Sequence, residues 1–193
     1  MDLAAINALF AQTDRELWLV TADDGTRRGG FISTSVNQAS IVPDLPRVSL
    51  GVARQHYTWE LIEASQAFAL HLLGEEHLEW VWRFGLRSGR DGDKLDGMAY
   101  KAGTTGSPVV TGALGWLDCR VETQMEIGDR TVYLAEVLDG QLLQTHAPLT
   151  QRQMLQRAPA GRLRELKEAM ARDGTVDARA IHAWRQSRTK SSS

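Results

Sequence analysis

Cysteine is almost missing. Cys119 is the only one in 193 residues, so no internal disulfide and no cysteine-built zinc cluster can form, and the cytoplasm is the expected setting. No apolar run approaches the roughly 20 residues of a bilayer-spanning helix. The opening MDLAAINALFAQTDREL has no basic lead and carries Asp2, so no secretory leader and no membrane association are expected. His56, His71, His77, His146 and His182 include no H-x-x-x-H pair, which argues against a metal centre. There is no G-x-S-x-G, no G-x-x-x-x-G-K-[ST] and no G-x-G-x-x-G after a strand, so a nucleotide bound here is not held by those loops.

Charge of one sign is lacking overall but not locally. The net charge is −2, yet residues 147–193 hold ten Lys/Arg against four Asp/Glu. These cations are spread around helical segments with only Trp184 among them, which fits a solvated helix face or a tail over an acidic partner subunit rather than nucleic acid. With 42% hydrophobic and 24% charged residues, the chain is an ordinary globular one.

Residues 3–12 read as a short amphipathic helix with Leu3, Ile6, Leu9 and Phe10 on one side. ELWLVTADDGTRRGGFISTS reads as a hairpin turning at Asp24-Gly25, and RVSLGVA as a third strand. Thr58 is placed to N-cap a helix through WELIEAS; FALHLL is a strand and EEHLEWVWRFGL a helix. From Arg87 to Pro108, glycines and charges predict a long surface loop. ALGWLDCRVETQME and RTVYLAEVLDGQLL are long strands joined at Gly128-Asp129. In the first, Leu117, Cys119 and Val121 alternate with Asp118, Arg120 and Glu122, which makes Cys119 a small core residue. After Pro148, Thr150 and Gln153 form a capping box, and two or three short helices follow, interrupted by Pro159 and Gly174. TKSSS is expected to fray. Hairpin-linked strands with short helices between them predict a mainly β fold, an antiparallel barrel with a C-terminal helical appendage. Residues 1–146 are expected to form the barrel domain and 147–193 an extension that is not an independent domain.

Two stretches carry chemistry. STSVNQAS presents Ser33, Thr34, Ser35, Asn37, Gln38 and Ser40, able to donate to and accept from a phosphate, a polyhydroxyl chain or a ring edge. ARQHYTWELIEAS presents Arg54 and then Thr58 at a helix N-terminus, where a guanidinium beside unpaired N–H groups suits a phosphate monoester. Either alone is common in purely structural settings; together they point to a phosphate-bearing ligand.

GFISTSVNQASIVPD runs in the register of the G-M-T-A-S-S-F-x-S-V-S-x-x-P-P stretch of the flavin reductase-like family of FMN-binding split barrels. HYTWELIEASQAFALHL matches its S-x-T-x-x-x-I-x-x-S-x-x-F-A-V-N, DKL its D-K-F, GSPVVTGALGWLDC its G-x-P-v-L-x-g-a-l-a-w-l-e-C, and GDRTVYLAEV its G-D-H-T-[IV]-x-x-G-x-V. The resemblance covers about residues 15–140, in order and spacing. It implies that Ser33, Thr34 and Ser35 hold the FMN phosphate and ribityl chain, that the backbone around Val36 and Asn37 meets the isoalloxazine edge, and that Ser40 closes the loop. It adds Arg54 and Thr58 at the phosphate, and Lys94 reaching in from the partner of a homodimer. On this reading Arg54→Ala weakens FMN binding by about 1.5–3 kcal/mol.

The activity implied is NAD(P)H-dependent reduction of FMN (FAD being the alternative flavin) by hydride transfer to N5, with reduced flavin passing to an oxygenase or another electron-acceptor protein. A non-enzymatic FMN electron carrier that ignores NAD(P)H is the alternative, and a haem-binding barrel a third. Three positions depart from the family: Arg130 stands for its histidine, Asp44 for its second proline and His71 for its asparagine. Arg130 puts nicotinamide nucleotide use in question, unless it pairs with that nucleotide's phosphate; a salt bridge across the hairpin is the structural reading.

Overall fold

The protein is described here by a computed structural model covering residues 1–191. In chain order the elements are α1 (Leu3–Phe10), β1 (Trp18–Asp23), β2 (Arg28–Ser33), β3 (Val36–Gln38), β4 (Arg47–Ala53), α2 (Tyr57–Ser65) and β5 (Ala67–Leu72). A 3₁₀ turn (Glu75–His77), α3 (Leu78–Gly85), β6 (Tyr100–Ala102), β7 (Pro108–Val110), β8 (Gly115–Glu126), β9 (Arg130–Leu142), α4 (Gln151–Arg157) and α5 (Ala160–Ser191) follow. Seven strands form one antiparallel sheet in the order β2-β1-β5-β8-β9-β4-β3, and β6 and β7 make a separate pair. The architecture is the mainly β one expected, a curled antiparallel half-barrel with helices around it. Ser192 and Ser193, the end of the TKSSS segment, lie outside the described residues.

Turn chemistry sets the first hairpin. Gly25 has φ +89°, and Asp24 Oδ1 accepts the N–H groups of Thr26 (3.0 Å) and Arg27 (2.7 Å). Those bonds and the one from Thr26 Oγ1 hold the Asp24 carboxyl well below its ordinary pKa. The β1–β2 register then pairs Trp18 with Ser33 and Asp23 with Arg28.

Two apolar clusters hold the sheet. Val20, Phe31, Leu50, Ile62, Phe68 and Tyr133 fill the inside of the curl; Leu17, Leu19, Leu73, Trp82, Phe84 and Met154 lie on its other side under α3 and α4. β1 is sandwiched between them, which is why LWLVTA is continuously apolar instead of alternating. His71 of β5 is wholly buried. Its Nδ1 lies 3.0 Å from the Leu19 carbonyl and its Nε2 accepts the Val110 N–H at 2.9 Å, so burial pushes its pKa down to about 4 and keeps the ring neutral.

Local expectations were overturned at four places, α1 being the short helix expected. The 87–108 loop contains β6, paired with β7 through Tyr100 and Val110. His56, not Thr58, is the N-cap of α2; Thr58 lies inside the first turn. Asp118 faces inward at a β-bulge and takes the Thr105 N–H (2.9 Å) and Oγ1 (2.5 Å), so it stabilises a turn and is not solvated. α1 forms, yet all of its residues are exposed. Gly174 does not break α5, which runs through it as one 32-residue helix. The Thr150–Gln153 capping box is present as read.

Candidate functional site

Strand alternation and one bend send the polar run 33–40 into four environments. Ser33 ends β2 buried, and its Oγ accepts the Ser35 N–H at 3.0 Å. Ser35 lies beside Gly51 of β4: its carbonyl accepts the Gly51 N–H at 3.1 Å, and a side chain on Gly51 would stand between Ser35 and Arg130. Thr34 points the other way, into a hollow shared with Phe10, Arg15 and Arg152. Val36, Asn37 and Gln38 border a more apolar groove of about 740 Å³ with Trp18, Leu117 and Val137. Ser40 is turned into its own loop, its Oγ accepting the Val42 N–H at 3.1 Å.

The N-terminus of α2 opens onto a pocket of about 160 Å³, which β2 lines two residues before Ser33. Gly30 and Phe31 of β2, Gln55 to Thr58, and Ser88 to Arg90 form its walls, with Lys94 and Asp173. α2 has no side-chain cap, so its first N–H groups face this space carrying the positive end of the helix dipole. Gly30 is required for shape: a Cβ there would stand 2.7 Å from the Val20 carbonyl oxygen. Thr58 is buried and lines the pocket. His56 stacks against Phe31 with ring centroids 5.0 Å apart, and burial lowers its pKa.

Two cations flank the pocket. Lys94 Nζ donates to the carbonyls of Phe84 and Arg87, both at 3.0 Å, which leaves one of its three N–H bonds uncommitted. Burial lowers its pKa to about 8. It belongs to the same chain as Thr58, so no second subunit is needed to place it. Arg90 Nη1 donates to the Gln55 carbonyl at 3.1 Å, its guanidinium lies over the Tyr57 ring, and it pairs with Glu60.

Arg54 is not brought there. Its guanidinium sits over Trp59, 5.1 Å from the ring centroid, and 3.4 Å from Glu126. Arg90, His56, Gln55 and Asp173 are the wall residues that the sequence reading missed. The run S-G-R at Ser88 to Arg90 was a usable signal, but its distance from α2 was not.

Arg130 lies between two carboxylates: Nε reaches Asp129 at 2.6 Å and Nη2 reaches Asp177 of α5 at 3.3 Å. Asp177 also accepts from Gln55 Nε2 at 3.2 Å. Its pKa is raised, first by burial and then by Asp129 and Asp173, against the pull of Arg130. Among the described residues there is no cluster of His, Cys, Asp and Glu able to hold a metal, and no helix long and apolar enough to cross a membrane. The free Cys119 thiol is buried and its pKa raised by desolvation, which makes it inert. The donor set, with N–H groups, hydroxyls and two cations around a small space, fits the phosphate end of a flavin nucleotide.

Known proteins share this architecture. A family model described as flavin reductase like domain matches residues 10–155. The chain is 29% identical over 143 residues to a ferric-chelate reductase (NAD(P)H) of Archaeoglobus fulgidus, covering 73% of this chain and 83% of that protein. It is 30% identical over 136 residues to the high molecular weight rubredoxin of Moorella thermoacetica, covering 69% of this chain but only 58% of that protein. Among solved structures, a homologue of nitrilotriacetate monooxygenase component B from Mycobacterium thermoresistibile superposes with a TM-score of 0.67 at 26% identity, over 77% of this chain and 82% of that one. With its sheet order, its five motifs in register and a family match across most of its length, this chain belongs to the flavin reductase-like family.

Proposed function

We propose that the protein binds FMN, with the phosphate in the pocket at the α2 N-terminus, and reduces it with NAD(P)H. The observation that carries this reading is the uncapped helix end facing Lys94 and Arg90, with Gly30 and Phe31 of the strand that ends at Ser33 in the same wall. When bound, the flavin supplies the hydride-accepting ring, and no side chain has to act as general base. The chain's own part is positioning. Thr58 and the α2 N–H groups hold the phosphate, Lys94 and Arg90 neutralise it, and Ser33 and Ser35 line the path of the ribityl hydroxyls. Backbone at Val36 and Asn37 borders the groove that would take the ring, with Thr34 and Ser40 shaping the bend around it. The small pocket suits a terminal monoester and so favours FMN over FAD. Arg54 is assigned a supporting role, through Glu126 and Trp59.

The same reading makes the protein a cytoplasmic homodimer that passes reduced flavin to an oxygenase or another acceptor protein, as the monooxygenase-component relative invites. Residues 1–146 are taken as the barrel domain, with 147–193 its dependent extension. A carrier role without NAD(P)H is the second reading. It draws on Arg130, which replaces the family's histidine and is already tied to Asp129 and Asp177. Anaerobic addition of NADH and then NADPH to the FMN-loaded protein separates the two. Bleaching of the flavin band at turnover rates supports the reductase; a yellow protein that only dithionite bleaches supports the carrier.

A further inference from the structure

α5 is about 48 Å long at 1.5 Å per residue, and apolar packing fastens it at two places. Near its start, Leu166 packs against the second core cluster. Near its end, Trp184 and Ala180 lie on the β8–β9 turn, where a Cβ on Gly128 would stand 2.9 Å from Trp184 Cβ and 3.2 Å from the Ala180 carbonyl oxygen. Between these anchors the helix passes the pocket, adding Asp173 to its wall, and has almost no apolar support. Met170 is 60% and Val176 48% exposed, and Gly174 has no atom near the place of a Cβ. A glycine inside a helix costs about 1 kcal/mol relative to alanine, so the span is weakest at its middle.

What this unsupported span offers the barrel is charge. The tail is basic, ten cations to four acids. Yet Asp173 forms part of the pocket wall at the α2 N-terminus, and Asp177 binds Gln55 and Arg130. Two carboxylates therefore lie at the positive end of a helix dipole and on a guanidinium, among groups that also suit a phosphate.

We propose that the middle of α5 is a strap that closes the anion pocket with its own carboxylates, and that a flavin phosphate enters by displacing Asp173 and Asp177. The inference rests on the flavin reading of the site and adds its regulation: whatever lifts α5, a partner protein or a high flavin concentration, opens the site.

The test compares FMN with riboflavin, which lacks the phosphate, by fluorescence titration of the full chain and of Asp173→Asn/Asp177→Asn. The variant is expected to bind FMN roughly five- to tenfold more tightly while riboflavin affinity stays within about twofold. FMN affinity that is unchanged or weaker in the variant, while the parent protein binds FMN, overturns the strap and leaves the flavin reading standing. Equal tightening of both flavins overturns the carboxylate mimicry, because only bulk would then be at work. Failure of both proteins to bind either flavin overturns the flavin reading and the strap with it. Hydrogen exchange on the unaltered protein gives a second measure that needs no variant. FMN should speed exchange in residues 168–180, and slower exchange there would overturn the proposal.

Discussion

The barrel and α5 are opposite kinds of structure in one chain. Inside the curl Phe68, Leu70, Leu50 and Tyr133 are wholly buried, and each strand there is fixed by two neighbours. Along the described side chains of α5 one narrow stripe is half-buried, and the rest, charged residues together with Met170 and Val176, is exposed. A buried strand cannot move without opening the core, whereas a helix held at two points can move at small cost. Rigidity and responsiveness are placed apart: the proposed phosphate donors lie on the barrel and the proposed competing carboxylates on the helix.

Four measurements bear on this division between barrel and helix. The largest effect is expected in the core. Phe68→Ala should lower stability by about 3–5 kcal/mol, and Trp184→Ala on α5 by only about 1 kcal/mol, read from urea midpoints. Equal losses would mean that α5 is as integral as the sheet.

Acid comes next. His71 has a pKa of about 4 in the fold against about 6.5 in the unfolded chain, so the unfolded state takes up the proton first. Its stability contribution is complete above pH 6.5 and is lost as the pH falls towards 4, by up to about 3 kcal/mol. Urea midpoints at pH 7 and pH 4.5 would show the loss, and a midpoint independent of pH would refute it.

Third, Arg90→Ala should weaken FMN binding about tenfold, and Arg54→Ala by less than about threefold, since Arg54 is held at Trp59 and Glu126. The reverse order would restore Arg54 to the phosphate. The smallest effect concerns the helix alone. Gly174→Ala should stabilise α5 by about 0.5–1 kcal/mol and slow amide exchange in its middle while leaving the barrel's exchange unchanged.

Much of the fold was legible because its signals are local. Asp24-Gly25 and Gly128-Asp129 mark hairpins by turn chemistry, and the Thr150–Gln153 box marks a helix start. What was hidden depends on distance. β6 is three residues long and is a strand only because Val110 lies opposite Tyr100. Asp118 continues a polar alternation in sequence, but the bulge turns it towards Thr105. Gly174 has the penalty of a helix breaker, yet anchors at both ends carry the helix through it.

The site was legible in the same uneven way. Thr58 and Lys94 line one pocket, while the polar run from Ser33 to Ser40 is divided among four surroundings by a bend that composition does not reveal. Arg54 is near Thr58 in sequence and far from it in direction. Arg90 reaches the pocket from a loop more than thirty positions later.

The sheet order has a consequence for synthesis. β2 and β3 are separated by two residues in the chain but occupy opposite edges of the seven-strand sheet. As the chain leaves the ribosome, β1 and β2 can zip at once. β4 has only the three-residue β3 beside it until β9 emerges, nearly eighty residues afterwards. For that interval one flank of β4 is a bare row of backbone donors and acceptors, the kind of edge that recruits other nascent chains. Arg47, Ser49 and Gly51 alternate with its apolar residues, and they keep this waiting edge partly polar until its partner arrives.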